Sequence, residues 1–494
     1  MFASLALLLL LAGSAAHVQT LIQAGRLEEA AQELKKLLAA SPSDPALLNL
    51  NGILEAQRGN PAAAEASFRK ALAAAPQSIA IHLNLARLQQ QAGMADKALA
   101  TWRQILRLEP SHAEAHYQIA FLLIHKGDLQ GALAHVRKLS PSAQAKPQVL
   151  AIKAAAGDTG ALADLKRHGD LTEQDILGIL PVLNRRKQDA AALELLGALF
   201  DRGLAKRPSL EAYAALLEKQ KRYAEARKVL EQAAQVEGRA DVPLLMALSR
   251  LSWQQQDYVG TLSYLGQARE LQPDNGAVHF FFGMTAVALD LPVEAKRSLA
   301  KAVELDPANP FWRYAYGAVL AQERDASASI PHFEEYVKRR PEDVRGRFAL
   351  AVAYFLSNQS DEAKERLAPL TQHPETAAGA HYFLGRIARR ENRLEDAERE
   401  LLASLRLLKD QPDALAELGQ VYARLQKPEL AEQYLTLALK VDPDHYVANH
   451  QLLALYQRQR DPRAEQQAVR FEEVKKKRSE KELALWRTID IRPY

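Results

Sequence analysis

Small and large apolar residues recur along the chain in a fixed register. Gly52, Ala86, Ala120, Gly283, Gly317, Ala351, Gly385 and Gly419 share one phase, several of them 34 residues apart. Twelve residues further on come Ala64, Ala98, Ala132, Ala295, Ala363, Ala397 and Ala431. Toward the end of the unit stand Pro76, Pro110, Pro273, Pro307, Pro341 and Pro443. Large apolar residues flank the small ones: Leu85, Ile119, Phe282, Leu350, Leu384 and Leu418 precede the first small site, and Phe68, Trp102, Leu299, Phe333 and Leu401 follow the second by four. This pattern predicts pairs of amphipathic helices, A and B, whose small residues let the two backbones approach. Gly59, Gly93, Gly127, Asn358 and Asn392 fall where helix A must end in a left-handed turn. The proline then stops helix B.

In this phase units begin near residues 11, 45, 79, 113, 173, 207, 242, 276, 310, 344, 378, 412 and 446. The stretch from Ser140 to about Thr172 carries too few residues for a standard unit and reads as a degenerate pair that bends the array, with a gap between two subdomains as the competing reading. The pattern resembles the tetratricopeptide-repeat family. That resemblance implies an all-α fold, a right-handed superhelical α-solenoid of about thirteen helix-turn-helix pairs. The expected organisation is a signal segment at 1–16, a block of repeats at 17–142, an irregular segment at 143–206, a second block at 207–465, and a charged capping helix and tail at 466–494. A charged last helix suits the solvated end of a stack, and the Lys475–Arg478 run is read as part of that face. The ending Arg-Pro-Tyr is read as a loose tail or docking segment.

Composition adds little that competes with this. Lys and Arg number 64 against 60 Asp and Glu, a formal charge of +4 over 494 residues, which argues against general nucleic-acid binding. With no cysteine, disulfides, thiolate metal sites and cysteine nucleophiles are excluded. The apolar run Leu5 to Ala12, followed by Ser14-Ala15-Ala16 before His17, has the outline of a secretory signal and is too short to span a bilayer. It lacks a cationic start, and Ser14 stands where a bacterial lipoprotein needs cysteine, so lipid anchoring is not expected. The expectation is an exported protein, periplasmic or secreted; a buried first helix in a cytoplasmic chain is the other reading. No later stretch is apolar enough to cross a membrane.

In the family, helix A of each unit faces the concave side, with groove residues at positions 2, 5, 9 and 12. Position 5 here is Phe280, Tyr314, Phe348 and Tyr382, spaced at 34 residues. The resemblance thus implies a partner-binding groove with Phe311 and Phe355 beside this ladder, together with Met284, Val287 and Val352, and with Arg345, Arg386 and Arg389 making its far end basic. Such a face suits a peptide with apolar anchors and acidic groups. Packing between units is the alternative role for position 5, and a glycan is a weaker ligand option. The Lys and Asn clamp with which some relatives hold a C-terminal carboxylate is missing, since Asn49, Leu83 and Tyr117 occupy position 5 of the early units and Ile53, Arg87 and Phe121 position 9.

Signals for chemistry are faint. His112 and His116 stand four apart without a third ligand, and His279 and His381 occupy a packing position, so all four read as structural. No phosphate loop, dinucleotide glycine pattern, nucleophile elbow or zinc-protease motif is present. The expectation is therefore a non-catalytic scaffold that binds protein or peptide partners, without cofactor or metal, in the cell envelope. A substrate-recruiting arm of an enzyme complex, such as a glycosyltransferase or polysaccharide-export system, is the alternative. Partner, pathway and oligomeric state are not legible.

Overall fold

The computed structural model describes residues 14–478 apart from 237, 239 and 324, and all regular structure among them is helical. The expected signal segment up to Gly13 and the tail after Arg478 lie outside the described residues. The chain divides into two compact units, Met1–Gly238 and Arg239–Tyr494.

Helix A and helix B of each pair pack as the register requires. In Gly276–Ala288 and Pro292–Leu305, a Cβ added at Gly283 would stand 2.7 Å from Leu299 Cγ. The same collision recurs at 2.7 Å for Gly385 against Leu401 and at 2.6 Å for Gly419 against Leu435. Glycine is thus required because the large residue four places after the second small site fills the space where its side chain would go. The second small residue is enclosed in the same joint, with Ala295, Ala397 and Ala431 almost without exposure.

The turn after helix A is set by backbone conformation more than by residue type. Gly25, Gly59, Gly93 and Gly127 have positive φ, and the same phase continues through Lys187, Lys221, Gln256, Asp290, Asn358, Asn392, Gln426 and Arg460, with φ between 55° and 60°. A left-handed residue breaks the helix whether or not glycine supplies it, at a cost of roughly 1–2 kcal/mol when it does not. Entry into helix A is fixed as regularly. Asp44, Asn275, Asn309 and Asp343 each accept two backbone N–H groups of the first turn.

In the first unit, residues 14–23 form a helix whose Val18, Leu21 and Ile22 pack with Ala30, Leu34, Leu47, Leu50 and Leu54. The irregular stretch contains the short helices Pro141–Gln144, Pro147–Ala155 and Thr159–Arg167. Pro147–Ala155 packs on both Ala113–Lys126 and Glu173–Arg185, which also touch each other. The Arg185 guanidinium donates to the His125 carbonyl at 2.5 Å, so the packing runs through the short pair without interruption.

In the second unit, successive repeats are joined by a recurring polar link. Tyr354, Tyr422 and Tyr456, each buried on helix A, donate their hydroxyls to Glu334, Glu398 and Glu432 on the preceding helix B at 2.5, 2.9 and 3.0 Å. A cation from the tyrosine's own repeat lies over each ring: Arg366 at 4.3 Å, Lys427 at 5.7 Å and Arg463 at 4.3 Å. The last helix, Arg463–Arg478, packs on Tyr446–Gln459 through buried Phe471 and Val474. It serves as helix B of the final pair while carrying the charged outer face.

Candidate partner-binding face

The A helices Gly276–Ala288, Pro310–Gln322, Val344–Leu356, Ala377–Arg390 and Pro412–Arg424 lie side by side, each touching the next. The position-5 aromatics stand on this row in two different states. Phe280 and Phe348 are 7% and 8% exposed, whereas Tyr314 and Tyr382 are half-buried.

Neighbouring repeats explain the difference. The Phe280 ring stacks on Trp312 of the next A helix, centroids 6.0 Å apart. Trp312 in turn needs Gly276, where an added Cβ would lie 2.5 Å from the indole. Phe348 seats over Gly379, with the same kind of collision at 2.6 Å, and tilts against Phe383. These two phenylalanines fasten adjacent repeats. Tyr314 rests on Phe333 and Tyr336 of its own helix B, at 5.5 and 4.9 Å between centroids. Phe355 is fully enclosed against Phe383 and presents no surface to a partner. Met284 and Val352 are buried likewise.

Phe311 differs from the rest at 52% exposed, with the Arg340 guanidinium 4.7 Å above its ring. Tyr314 and Tyr382 on the same row are half-buried, as are Phe281, Trp312 and Tyr316.

The arginines are more balanced than their sequence suggests. Arg345 pairs with Glu375 at 3.1 Å in solvent. Arg386 and Arg389 share Glu417, with Nε atoms 3.2 and 2.6 Å from its two carboxylate oxygens. Arg386 is sandwiched among aromatic rings, 4.9 Å from Phe355 and 5.4 Å from Tyr382, and its Nε and Nη1 atoms are buried without an aligned hydrogen-bond acceptor. Burial, and then the charges of Arg386 and Arg389, lowers the Arg390 pKa. Three arginines around one glutamate leave this end with a net cationic character, weaker than three free guanidinium groups would give.

Three of the histidines singled out in the sequence make contacts within the fold. His112 caps its helix by accepting the Ala115 N–H. His116 bonds through Nε2 to the Pro110 carbonyl and through Nδ1 to His135, both at 2.9 Å. His381 meets Glu400 at 2.7 Å. No group of three or more metal-ligating side chains occurs among the described residues. None of the described helices is long and apolar enough to cross a membrane.

The geometry agrees with comparison to known proteins. Models described as tetratricopeptide repeat match residues 15–79, 282–344, 314–363 and 348–414, others match 55–106 and 93–156, and a third matches 412–445. Human Protein O-mannosyl-transferase TMTC3 is 24% identical over 183 residues, a stretch that takes in 36% of this chain and 20% of that protein. The chain therefore spans about a fifth of the length of that curated relative.

Among solved structures, the Cut9-Hcn1 hetero-tetramer of APC/C is 13% identical with a TM-score of 0.41, covering 89% of this chain and 95% of that one. Yeast Tom70 is 16% identical with a TM-score of 0.35, covering 87% and 91%. Pseudomonas aeruginosa pilF is 18% identical with a TM-score of 0.35, covering 42% and 97%. Register, paired helices and matched repeats converge on one conclusion: the chain belongs to the tetratricopeptide-repeat family.

Proposed function

We propose that this protein is a non-catalytic scaffold that holds an extended segment of a protein partner along the A-helix row of its second unit. The observation that carries the reading is Phe311, 52% exposed on a row whose position-5 phenylalanines, Phe280 and Phe348, are packed away. It shares the row of A helices with half-buried Tyr314 and Tyr382 and with the Arg386–Arg389–Glu417 cluster. Aromatic rings give large contact area at small entropic cost, and guanidinium groups take carboxylates. A segment with one apolar anchor and a nearby acidic group fits that order.

The test is photocrosslinking in cells with a photoreactive phenylalanine at position 311, against the same residue at Val293, 75% exposed on a B helix. The proposal expects a discrete partner at 311, absent at 293, and lost to the variant Phe311→Ser/Tyr314→Ser with its helical circular dichroism unchanged. Equal crosslinking at both positions overturns it.

The cell envelope is the proposed setting, supported by the apolar run from Leu5 to Ala12 before small residues. Protein recovered from its native host then begins near His17; an intact Met1 sinks the export reading. A second reading, a recruiting arm in an enzyme complex, draws support from the stretch shared with a human O-mannosyl-transferase. Co-purification of the Phe311-dependent partner with glycosyltransferase activity would favour it.

A further inference from the structure

A second feature of the same unit lies where helix A meets helix B of one repeat. The fourth residue of helix A recurrently caps the proline carbonyl six residues before it. His116 does so on Pro110 at 2.9 Å, His279 on Pro273 at 2.8 Å, Arg313 on Pro307 at 2.6 Å and Asn449 on Pro443 at 3.0 Å. In two repeats Nδ1 of the histidine at this place is met by the residue 19 places on, in helix B: His116 by His135 at 2.9 Å and His381 by Glu400 at 2.7 Å.

For His279 the residue at that place is Ser298. Its short side chain makes no such bond, and both His279 Nδ1 and Ser298 Oγ are buried without a hydrogen-bond partner. The residues are only 8% and 1% exposed. Two buried polar atoms left open in this way are costly unless something meets them.

Both residues line one cleft of about 650 Å³, within the usual span of small-molecule sites of roughly 300–1,000 Å³. Arg269, Arg297 and Lys301 line it too, with Asp274 and Glu304 opposing them. Lys301 is engaged by Glu304 at 2.7 Å, and Arg269 lies 4.1 Å from the Phe282 ring centroid. Just behind this wall therefore lie a hydroxyl donor and an imidazole nitrogen closed off from solvent, under a cationic rim, so that a ligand meets them only as the wall gives way. Nε2 donates to the Pro273 carbonyl, so in the neutral ring Nδ1 is the acceptor.

A ligand for this cleft must accept hydrogen bonds from Ser298 and the cations while donating one to Nδ1. A phosphoryl group that retains one proton does both, with charge-assisted bonds to guanidinium groups. We infer that the cleft around His279 and Ser298 is a binding site for a phosphoryl group, supplied either as inorganic phosphate or as a small phosphate ester.

Calorimetric titration of the full chain with inorganic phosphate, and with sulfate at equal ionic strength, tests the inference at neutral pH. Sulfate carries no proton to give Nδ1, so phosphate should bind about tenfold or more tightly, a difference of about 1.4 kcal/mol. Ser298→Glu, which supplies the carboxylate that Glu400 gives His381, should abolish phosphate binding while the melting temperature holds or rises. Arg297→Gln should weaken it about tenfold, as expected for loss of a charge-assisted contact.

Glycerol 3-phosphate, compared with inorganic phosphate at about pH 6 so that the ester also keeps a proton, distinguishes the sources. Tighter binding than inorganic phosphate supports an ester, and weaker binding supports the free anion. No heat with phosphate, equal affinity for sulfate, or binding retained in a folded Ser298→Glu protein each overturns the inference.

Discussion

The Tyr422 hydroxyl donates to Glu398 at 2.9 Å across the joint between two repeats, with Lys427 over the ring. Because Tyr422 sits in helix A and Glu398 in the preceding helix B, the bond ties one repeat to the next. Tyr422→Phe should therefore lower stability by about 1 kcal/mol, the typical net worth of such a bond. Urea denaturation measures this, and a double-mutant cycle with Glu398→Gln should return a coupling of the same order.

Alkaline pH probes the same links. Burial, reinforced by Glu432, pushes the Tyr456 hydroxyl up to about 12, and the Tyr354 and Tyr422 hydroxyls also move upward, by burial first. A folded value above the unfolded value of about 10 means that the stabilisation is complete below pH 10. It is lost as pH rises toward about 12. Melting temperatures measured over this window should fall for the native protein and fall less for Tyr456→Phe.

Acid acts on the first unit through histidine. Burial lowers His125 and His135 below the ordinary histidine value, His135 with help from His116, and burial lowers His332 likewise in the second unit. A depressed folded value gives stability that is present above about pH 6.5 and lost as pH falls below it. Histidine carbon-bound proton resonances should show these rings titrating below solvent-like ones. Denaturant midpoints should drop between roughly pH 6.5 and 5.

Backbone geometry supplies opposite predictions at two nearby sites. Gly419→Ala drives a methyl to 2.6 Å from Leu435 Cγ and should cost about 1–3 kcal/mol through overpacking. Arg460→Gly, at φ 55°, removes a left-handed strain and should stabilise by up to about 1 kcal/mol. Chemical denaturation of the two variants should move the midpoint in opposite directions.

The helical pairs were legible because each repeats the same steric requirement. Gly385 must be small where Leu401 arrives, and Asn392 must turn left-handed where helix A stops. Where the turn is made by Lys187, Lys221 or Gln256, no residue type marks it, yet φ keeps the same phase.

The partner face was legible only in position. Equal spacing located Phe280, Tyr314, Phe348 and Tyr382 on one row, but Trp312 and Gly379, which decide burial, belong to adjacent repeats. The His279–Ser298 gap was hidden for a related reason. It shows only when the pairing of His381 with Glu400 reveals what a repeat three units further on places there.

Glu417 already sits between Arg386 and Arg389. An arriving acidic group therefore gains only the difference between its own bonds and those of the resident carboxylate. Charge alone earns little at this end of the row. Under the proposed function, a partner gains by exchange when its acid is held beside an apolar group that covers Tyr382, and the cluster then sorts ligands by the company their charge keeps.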